Sequence, residues 1–353
     1  MRRLLVYILT ILALSSGSTN ASEEDSVSIF LAGDMIVMRP FADVRDDRFL
    51  QLVSEIRSAD VAFANLETLF HEYKGYPQAH SGGTYMATPP EVARDLAWAG
   101  LDIVSAANNH TFDFGAIGVM ENLDALAKAG ILSAGAGKDL QQARAVTYFD
   151  HPKARIGLIS AASTFVSYGL ASTSRSDQRG RPGLNPLRTR IVRQVVIPEG
   201  FAEGLANLAE SLGFEQNRFN NAHFNVLGFD IARGREFAWH SGRRPYPDDS
   251  SALLRATNEA STRAELTIVS IHAHDQGEWL RRFAHRTIDN GADIFIAHGP
   301  HRIEGIEIYK GRPIFYCLGD FFFGQHHIER LPSEYYDKYR LDENATVQDA
   351  IAA

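Results

Sequence analysis

Six apolar runs of this chain end in side chains that can hold a cation or move a proton. Residues 27–32 lead into Gly33-Asp34, 61–64 into Asn65-Leu66-Glu67, and 103–107 into Asn108-Asn109-His110. Farther on, 266–271 lead into His272-Ala273-His274, 294–297 into His298-Gly299-Pro300-His301, and 313–318 into Gly319-Asp320. Taken singly, each has a plain structural explanation. A strand-end Asp or Asn closes a turn or caps a helix, Glu67 could be an ion-pair partner, and a lone His can be bonded inside a core. Six such endings together point to one shared site, because ligands in α/β proteins bind beyond the carboxyl ends of the strands. The donors are oxygen and imidazole nitrogen. Cys317 is the single cysteine, so an internal disulfide framework and a cysteine-built zinc or iron–sulfur site are excluded. That set suits one or two divalent ions of Mn, Fe, Zn or Mg rather than Cu(I) or an iron–sulfur cluster. Seven of the thirteen histidines also fall between positions 272 and 327, which concentrates the signal late in the chain.

The elements that must position these groups read as alternating strands and helices. A helix is expected from Thr88-Pro89-Pro90 to Ala99, stopped by Gly100, with Pro at the start and Gly at the end. A second spans 116–129 with Val119, Leu123 and Leu126 inward, and Gly130 after it. A third covers 278–290 with Leu280, Phe283 and Ile288 inward. His285 falls on its outer face, and His326 and His327 lie beyond the last strand; all three read as structural or surface residues. Apolar strands spaced by such helices imply an α/β fold with a buried sheet. One stretch breaks the rhythm: about 165–263 has weak periodicity and holds Arg175, Arg179, Arg181, Arg188, Arg190 and Arg193. It reads as a solvated insertion, or as a lobe in which Arg181 and Arg188 hold an anionic substrate. The domain is expected over 25–330, with an unassigned polar and aromatic tail at 331–353.

The start of the chain carries a targeting pattern. Arg2 and Arg3 precede an apolar run to Leu14, and Thr19-Asn20-Ala21 offers a cleavage site. This is the arrangement of a secretory signal peptide over 1–21, which implies a periplasmic or extracellular protein; an uncleaved membrane anchor is the alternative. The net charge of −8 over 353 residues argues against a nucleic-acid binder, which would present a basic surface.

The motifs then resemble a known family. Gly33-Asp34, Ala64-Asn65-Leu66-Glu67, and Ala107-Asn108-Asn109-His110 followed by Asp113-Phe114-Gly115 resemble the signature of CapA-type poly-γ-glutamate capsule synthesis proteins. Gly291-Ala292-Asp293, His298 to His301, Gly305-Ile306-Glu307 and Phe315 through Phe321 agree with it. The resemblance covers about 27–164 and 265–323. That family is similar to calcineurin-like metallophosphoesterases, so the resemblance implies a four-layer α/β/β/α sandwich with metals at the strand ends.

It also implies roles. Asp34 would bind a first metal and Glu67 would take the bridging position. Asn109 and His272 would bind a second metal, and His298 and His301 would supply one imidazole to each. His110 would be the proton donor, oriented by Asp113. Asn65 and His274 are expected at the substrate, with His274 also a candidate ligand. The departures are specific. Ile36 stands where the phosphoesterase pattern carries a second ligand, Glu67 replaces an Asp, two residues separate His298 from His301, and Asp320 stands where relatives often carry Asn.

The implied function is metal-dependent hydrolysis within capsule or exopolymer biosynthesis, on a phosphoester or an anionic polymer, beside membrane-associated capsule machinery. The alternatives are a non-catalytic binding protein for an anionic envelope polymer and a metal-dependent γ-glutamyl amide hydrolase or transferase, since a metal-activated water also attacks carbonyls.

Overall fold

The computed structural model describes residues 26–213, 218–220, 223–226 and 229–353; the expected signal peptide at 1–21 lies outside the described residues. Two sheets stack at the centre. The first has the order Asp320–Phe323, Ile29–Ile36, Val61–Leu66, Ile103–Ser105, Leu132–Ala134, and every neighbouring pair is parallel. The second has the order Ile306–Tyr309, Arg312–Phe315, Ile294–His298, Leu266–His272, Ala154–Ala162, Thr147–His151, with a parallel centre and one antiparallel strand at each edge.

Side-chain alternation builds the layers. In Val61–Leu66, Val61 and Phe63 face the other sheet, while Ala62, Ala64 and Leu66 face helices, as the two-residue period of a strand requires. Ile268, Ile294 and Ile296 meet Val61 and Phe63 from the second sheet. Helices Asp47–Ser58, Val92–Ala99 and Gly115–Ala129 cover the first sheet through Ile56, Leu96 and Leu126. Helices Pro247–Ser261 and Glu278–Asp289 cover the second through Leu253, Leu280 and Phe283. The result is the expected four-layer α/β/β/α sandwich. The helix expected from Thr88 becomes regular only at Val92, because Pro89 and Pro90 lack N–H groups and restrain the residues before them.

The stretch with weak periodicity contains structure of its own. Within it a five-stranded sheet has the order Arg218–Asn220, His223–Val226, Phe229–Gly234, Thr189–Pro198, Ala238–Pro245. Helix Glu199–Ser211 packs on it through Ala202, Ala206 and Ala209 against Ile197 and Ile231. Its pattern is faint because this sheet buries one shallow face with small residues and leaves Ile191 and Trp239 exposed. Helix Pro247–Ser261 then returns to the main core.

The tail is also ordered. Helices Ser333–Lys338 and Val347–Ala352 bury Tyr335 and Ala350 against Leu69, Tyr85 and Phe114. Among the described residues no helix is long and apolar enough to cross a membrane.

One ion-pair node ties the inserted module to the domain. Asp249 is fully buried and accepts from Arg188 Nε at 2.7 Å, Arg188 Nη2 at 2.9 Å and Arg144 Nη2 at 2.9 Å. Removing both guanidinium groups leaves the buried carboxylate with only the Arg188 backbone N–H, at 3.0 Å, whereas removing the carboxylate leaves side chains that are 29% and 43% exposed and can reach water. The double variant Arg144→Ala/Arg188→Ala should therefore lose about 3–5 kcal/mol, and Asp249→Asn distinctly less. Urea midpoints at constant slope measure both; equal losses would contradict this account.

Candidate metal centre

Alternation also decides which polar residues enter the layer between the sheets. Val61 and Phe63 face that layer, so Asn65 does too. Ile268 does, and hence His272; Ile294 and Ile296 do, and hence His298. Strict alternation would send Asp34 to the helix side with Phe30 and Ala32. The strand instead breaks register between Leu31 and Asp34, and Met35 takes the helix side. Asp34 thereby joins the inter-sheet layer. Only glycine fits at the break, because a Cβ on Gly33 would lie 1.9 Å from the Gly319 carbonyl oxygen. The Asp34 N–H donates to that same carbonyl at 2.8 Å, which seats the strand beside Asp320.

Two groups of candidate ligands result. Asp34, His301 and Asp320 offer donor atoms within 4.8 Å of one another, and Glu67, His272 and His274 do the same. In the first group His301 Nδ1 lies 2.7 Å from Asp320 Oδ1 and 3.6 Å from Asp34 Oδ2. In the second, His272 Nε2 lies 3.1 Å from His274 Nε2 and 3.8 Å from Glu67 Oε1. His301 joins them, with Nε2 3.7 Å from Glu67 Oε1. Its backbone sits in the left-handed region at φ 55°, an uncommon conformation for a residue with a Cβ. Asn65 Nδ2 donates to Asp34 Oδ1 at 2.8 Å and lies 3.3 Å from His272 Nδ1. His298 Nδ1 lies 3.5 Å from Asp34 Oδ1.

The centre holds more polar atoms than the protein satisfies. Both Glu67 carboxylate oxygens, the Asn65 and Asn109 side-chain oxygens and both His298 ring nitrogens are buried without a hydrogen-bond partner. Each such atom costs about 1–3 kcal/mol, so their convergence calls for a positive ion. Divalent cations fit this donor set of carboxylates, carboxamides and imidazoles.

The ionisation states agree. Burial, reinforced by the Asp34 charge, pushes the Glu67 carboxyl well above the usual range. Burial acts the same way on Asp34, but the His298 and His272 imidazoles beside it and the hydrogen bond from Asn65 outweigh it and hold Asp34 low. Burial drives His272 well below the ordinary imidazole value, which leaves its ring neutral with a lone pair to offer.

Beside the ligands stands a dyad. His110 Nδ1 lies 2.7 Å from Asp113 Oδ2, and that oxygen also accepts from the Met86 N–H at 2.9 Å. The opposite ring nitrogen, Nε2, lies 4.0 Å from Glu67 Oε1. The loop is pinned to the first sheet, since Asn108 Nδ2 donates to the Leu66 carbonyl at 2.6 Å and Asn108 Oδ1 accepts from the His110 N–H at 3.0 Å.

The structure thus brings together Asp34, Asn65, Glu67, His110, Asp113, His272, His274, His298 and His301. Asn109 lies on the same loop and spends its amide nitrogen on the Gly82 carbonyl at 3.1 Å. Arg181 and Arg188 are engaged elsewhere: Arg181 donates to the Leu170 carbonyl at 2.8 Å, and Arg188 grips Asp249. Asp320 is a ligand candidate that the sequence placed among the six donor endings but gave no metal role; that role depends on its parallel pairing with Asp34, which no local pattern announces. Ile36 is buried with Met38, Met86 and Ile328 and offers no donor. His285 stacks on Tyr309 at 3.9 Å and bonds Glu307 at 3.0 Å, a structural role.

Residues 28–325 match the family model described as bacterial capsule synthesis protein PGA_cap. The chain is 33% identical over 353 aligned residues to the uncharacterized protein y4sH of Sinorhizobium fredii, covering 96% of this chain and 75% of that one. It is 25% identical over 313 residues to the PGA biosynthesis protein CapA of Bacillus subtilis, covering 86% of this chain and 64% of that protein. Among solved structures, a phosphatase from Mycoplasma pneumoniae aligns over 82% of this chain and 70% of that one, at 13% identity and a TM-score of 0.38.

Gly33→Ala tests the register break. The added methyl must displace the Gly319 backbone, so a loss of about 1–3 kcal/mol is expected, with weaker retention of added Mn²⁺ in equilibrium dialysis. Unchanged stability and unchanged retention would refute the proposed role of this close approach.

Proposed function

The chain belongs to the bacterial capsule synthesis protein PGA_cap family, and from that premise we propose that it is a divalent-metal-dependent hydrolase acting in the assembly of an anionic capsular polymer. The observation that carries this reading is Glu67, a fully buried carboxyl group with no hydrogen-bond partner, which belongs to one group of candidate ligands and lies 3.7 Å from His301 of the other. Asp34, Asp320 and His301 would hold one ion; Glu67, His272 and His274 would hold another, with His298 and the side-chain oxygen of Asn109 available to complete the set. Mn, Fe, Zn and Mg all suit these donors. A bound divalent ion lowers the pKa of water and offsets negative charge that develops on a phosphoryl or carbonyl oxygen.

The chain's own residues supply the rest. His110, held in orientation by Asp113, would protonate the leaving atom from Nε2. Asn65 would fix the Asp34 carboxylate and contact the substrate through its free carbonyl oxygen. The buried walls exclude water around these charges and so strengthen each electrostatic contact. In this reading the leader at 1–21 carries the protein to the periplasm or the exterior, where it would work beside membrane-associated capsule machinery. A phosphoester and a γ-glutamyl amide are both substrates for this chemistry. One observation favours a second reading, a non-catalytic holder of the polymer: Ile36 supplies no ligand to the Asp34 side, which would weaken one ion.

Metal content and turnover decide between them. The wild-type protein should retain one or two equivalents of metal by elemental analysis and cleave bis-p-nitrophenyl phosphate or a γ-glutamyl anilide. Glu67→Gln and Asn109→Ala should lose metal. His110→Asn should keep it and lose rate by about 10²–10⁴. A metal-replete protein with no turnover supports the holder, and turnover unchanged by His110→Asn sinks the mechanism.

A further inference from the structure

We propose that the cleft between the inserted sheet and helix Glu278–Asp289 is a groove for a polycarboxylate chain, which it directs toward the metal centre. This rests on the hydrolase reading above and names where its substrate is held. The cleft has a volume of about 830 Å³. One wall is the inserted sheet, with Ile191, Val192 and Gln194 from one strand and His240 to Pro245 from the next; the other is residues 275–279 with Arg282, Phe283 and Arg286. That second wall begins one residue after His274, itself in reach of Glu67 and His272. The lining of the groove is therefore continuous along the chain with a candidate ligand.

Its charge opposes that of the molecule. Four arginines (243, 244, 282 and 286) face two carboxylates, Asp275 and Glu278, in a chain whose net charge is −8. Arg243 pairs with Asp275, and Arg282 Nε pairs with Glu278 at 2.9 Å. Both carboxylate side chains are mostly exposed, at 61% and 58%, so these pairs are weak and can exchange for a ligand carboxylate of the same chemistry. Among the described residues neither Arg244 nor Arg286 has an ion-pair partner. Gln276 adds a second, independent sign: its side-chain nitrogen is buried without an acceptor and lines the same cleft.

The lining also selects the anion. Ile191 and Val192 line the cleft together with the arginines, so the groove offers apolar surface beside guanidinium forks. A chain whose carboxylates sit on methylene stems satisfies both, and guanidinium forks match carboxylates bidentately. A polyphosphate has no such stems. The arginines named from sequence, Arg181 and Arg188, do not line this cleft; the charge that faces it comes from Arg243 and Arg244 on the inserted strand and from the opposing helix.

The test is fluorescence anisotropy with fluorescein-labelled poly-γ-glutamate on the full-length protein, with and without chelator. Wild-type binding should weaken as salt rises. The double reversal Arg244→Glu/Arg286→Glu should weaken it about tenfold or more while leaving metal content and the melting midpoint unchanged. Unlabelled polyglutamine and polyphosphate should compete poorly. Binding that ignores the double reversal, or polyphosphate that competes as well as polyglutamate, overturns the groove. Glu67→Gln separates the two readings. If it loses metal but keeps polymer binding, the groove stands apart from the centre. If the wild type binds polymer and never holds metal, the hydrolase reading fails and the groove remains.

Discussion

The centre depends on a single steric constraint, the approach of one backbone to another at Gly33. Strand alternation alone would turn Asp34 away from every other ligand. The close contact with the Gly319 carbonyl removes the possibility of a side chain, breaks the register after Leu31, and turns the next carboxylate between the sheets. The same contact brings Asp320 beside Asp34. One missing methyl thus places two carboxylates, and His301 reaches both.

Much of this was legible in the sequence, for a physical reason. Buried parallel strands are near-continuous apolar runs, so polar residues at their ends stand out, and all six runs with donor endings proved to border the same layer. The two-residue period even fixes the facing of Asn65, His272 and His298. What could not be read depends on partners distant in the chain. Asp320 read as one of the donor endings but without a metal role, because its neighbour in the sheet lies near the other end of the sequence. Arg188 offered charge without showing that Asp249, 61 positions on, had claimed it. The inserted sheet hid because its strands bury little: Thr189–Pro198 mixes two arginines with mostly half-exposed apolar residues and buries only Ile197. The tail hid because its helices are six residues each and bury only a few side chains against loops.

The electrostatic design is a concentration of opposites. Carboxylates and imidazoles are packed where water is excluded: burial pushes Glu67 up and His272 down, while His298 and His272 hold Asp34 low. A protein has little reason to keep Glu67 buried and unbonded unless something else neutralises it. The inserted module applies the same logic outward, setting guanidinium groups against the acidity of the rest of the chain. Family membership and the sandwich give this arrangement its context, but the work assigned to it follows from the particular side chains.

The pairing of Ile29–Ile36 with Asp320–Phe323 has a consequence for how the molecule comes into being. The first sheet lacks its edge strand until nearly the whole chain is available, and the ligands themselves are spread from position 34 to position 320. Contacts of such sequence separation form late, because the loops that close them are long. On the proposed metal-centre reading, a nascent chain would lack the complete set of candidate ligands. Metal capture would then be one of the last events of maturation, drawing on the ions of whichever compartment receives the polypeptide.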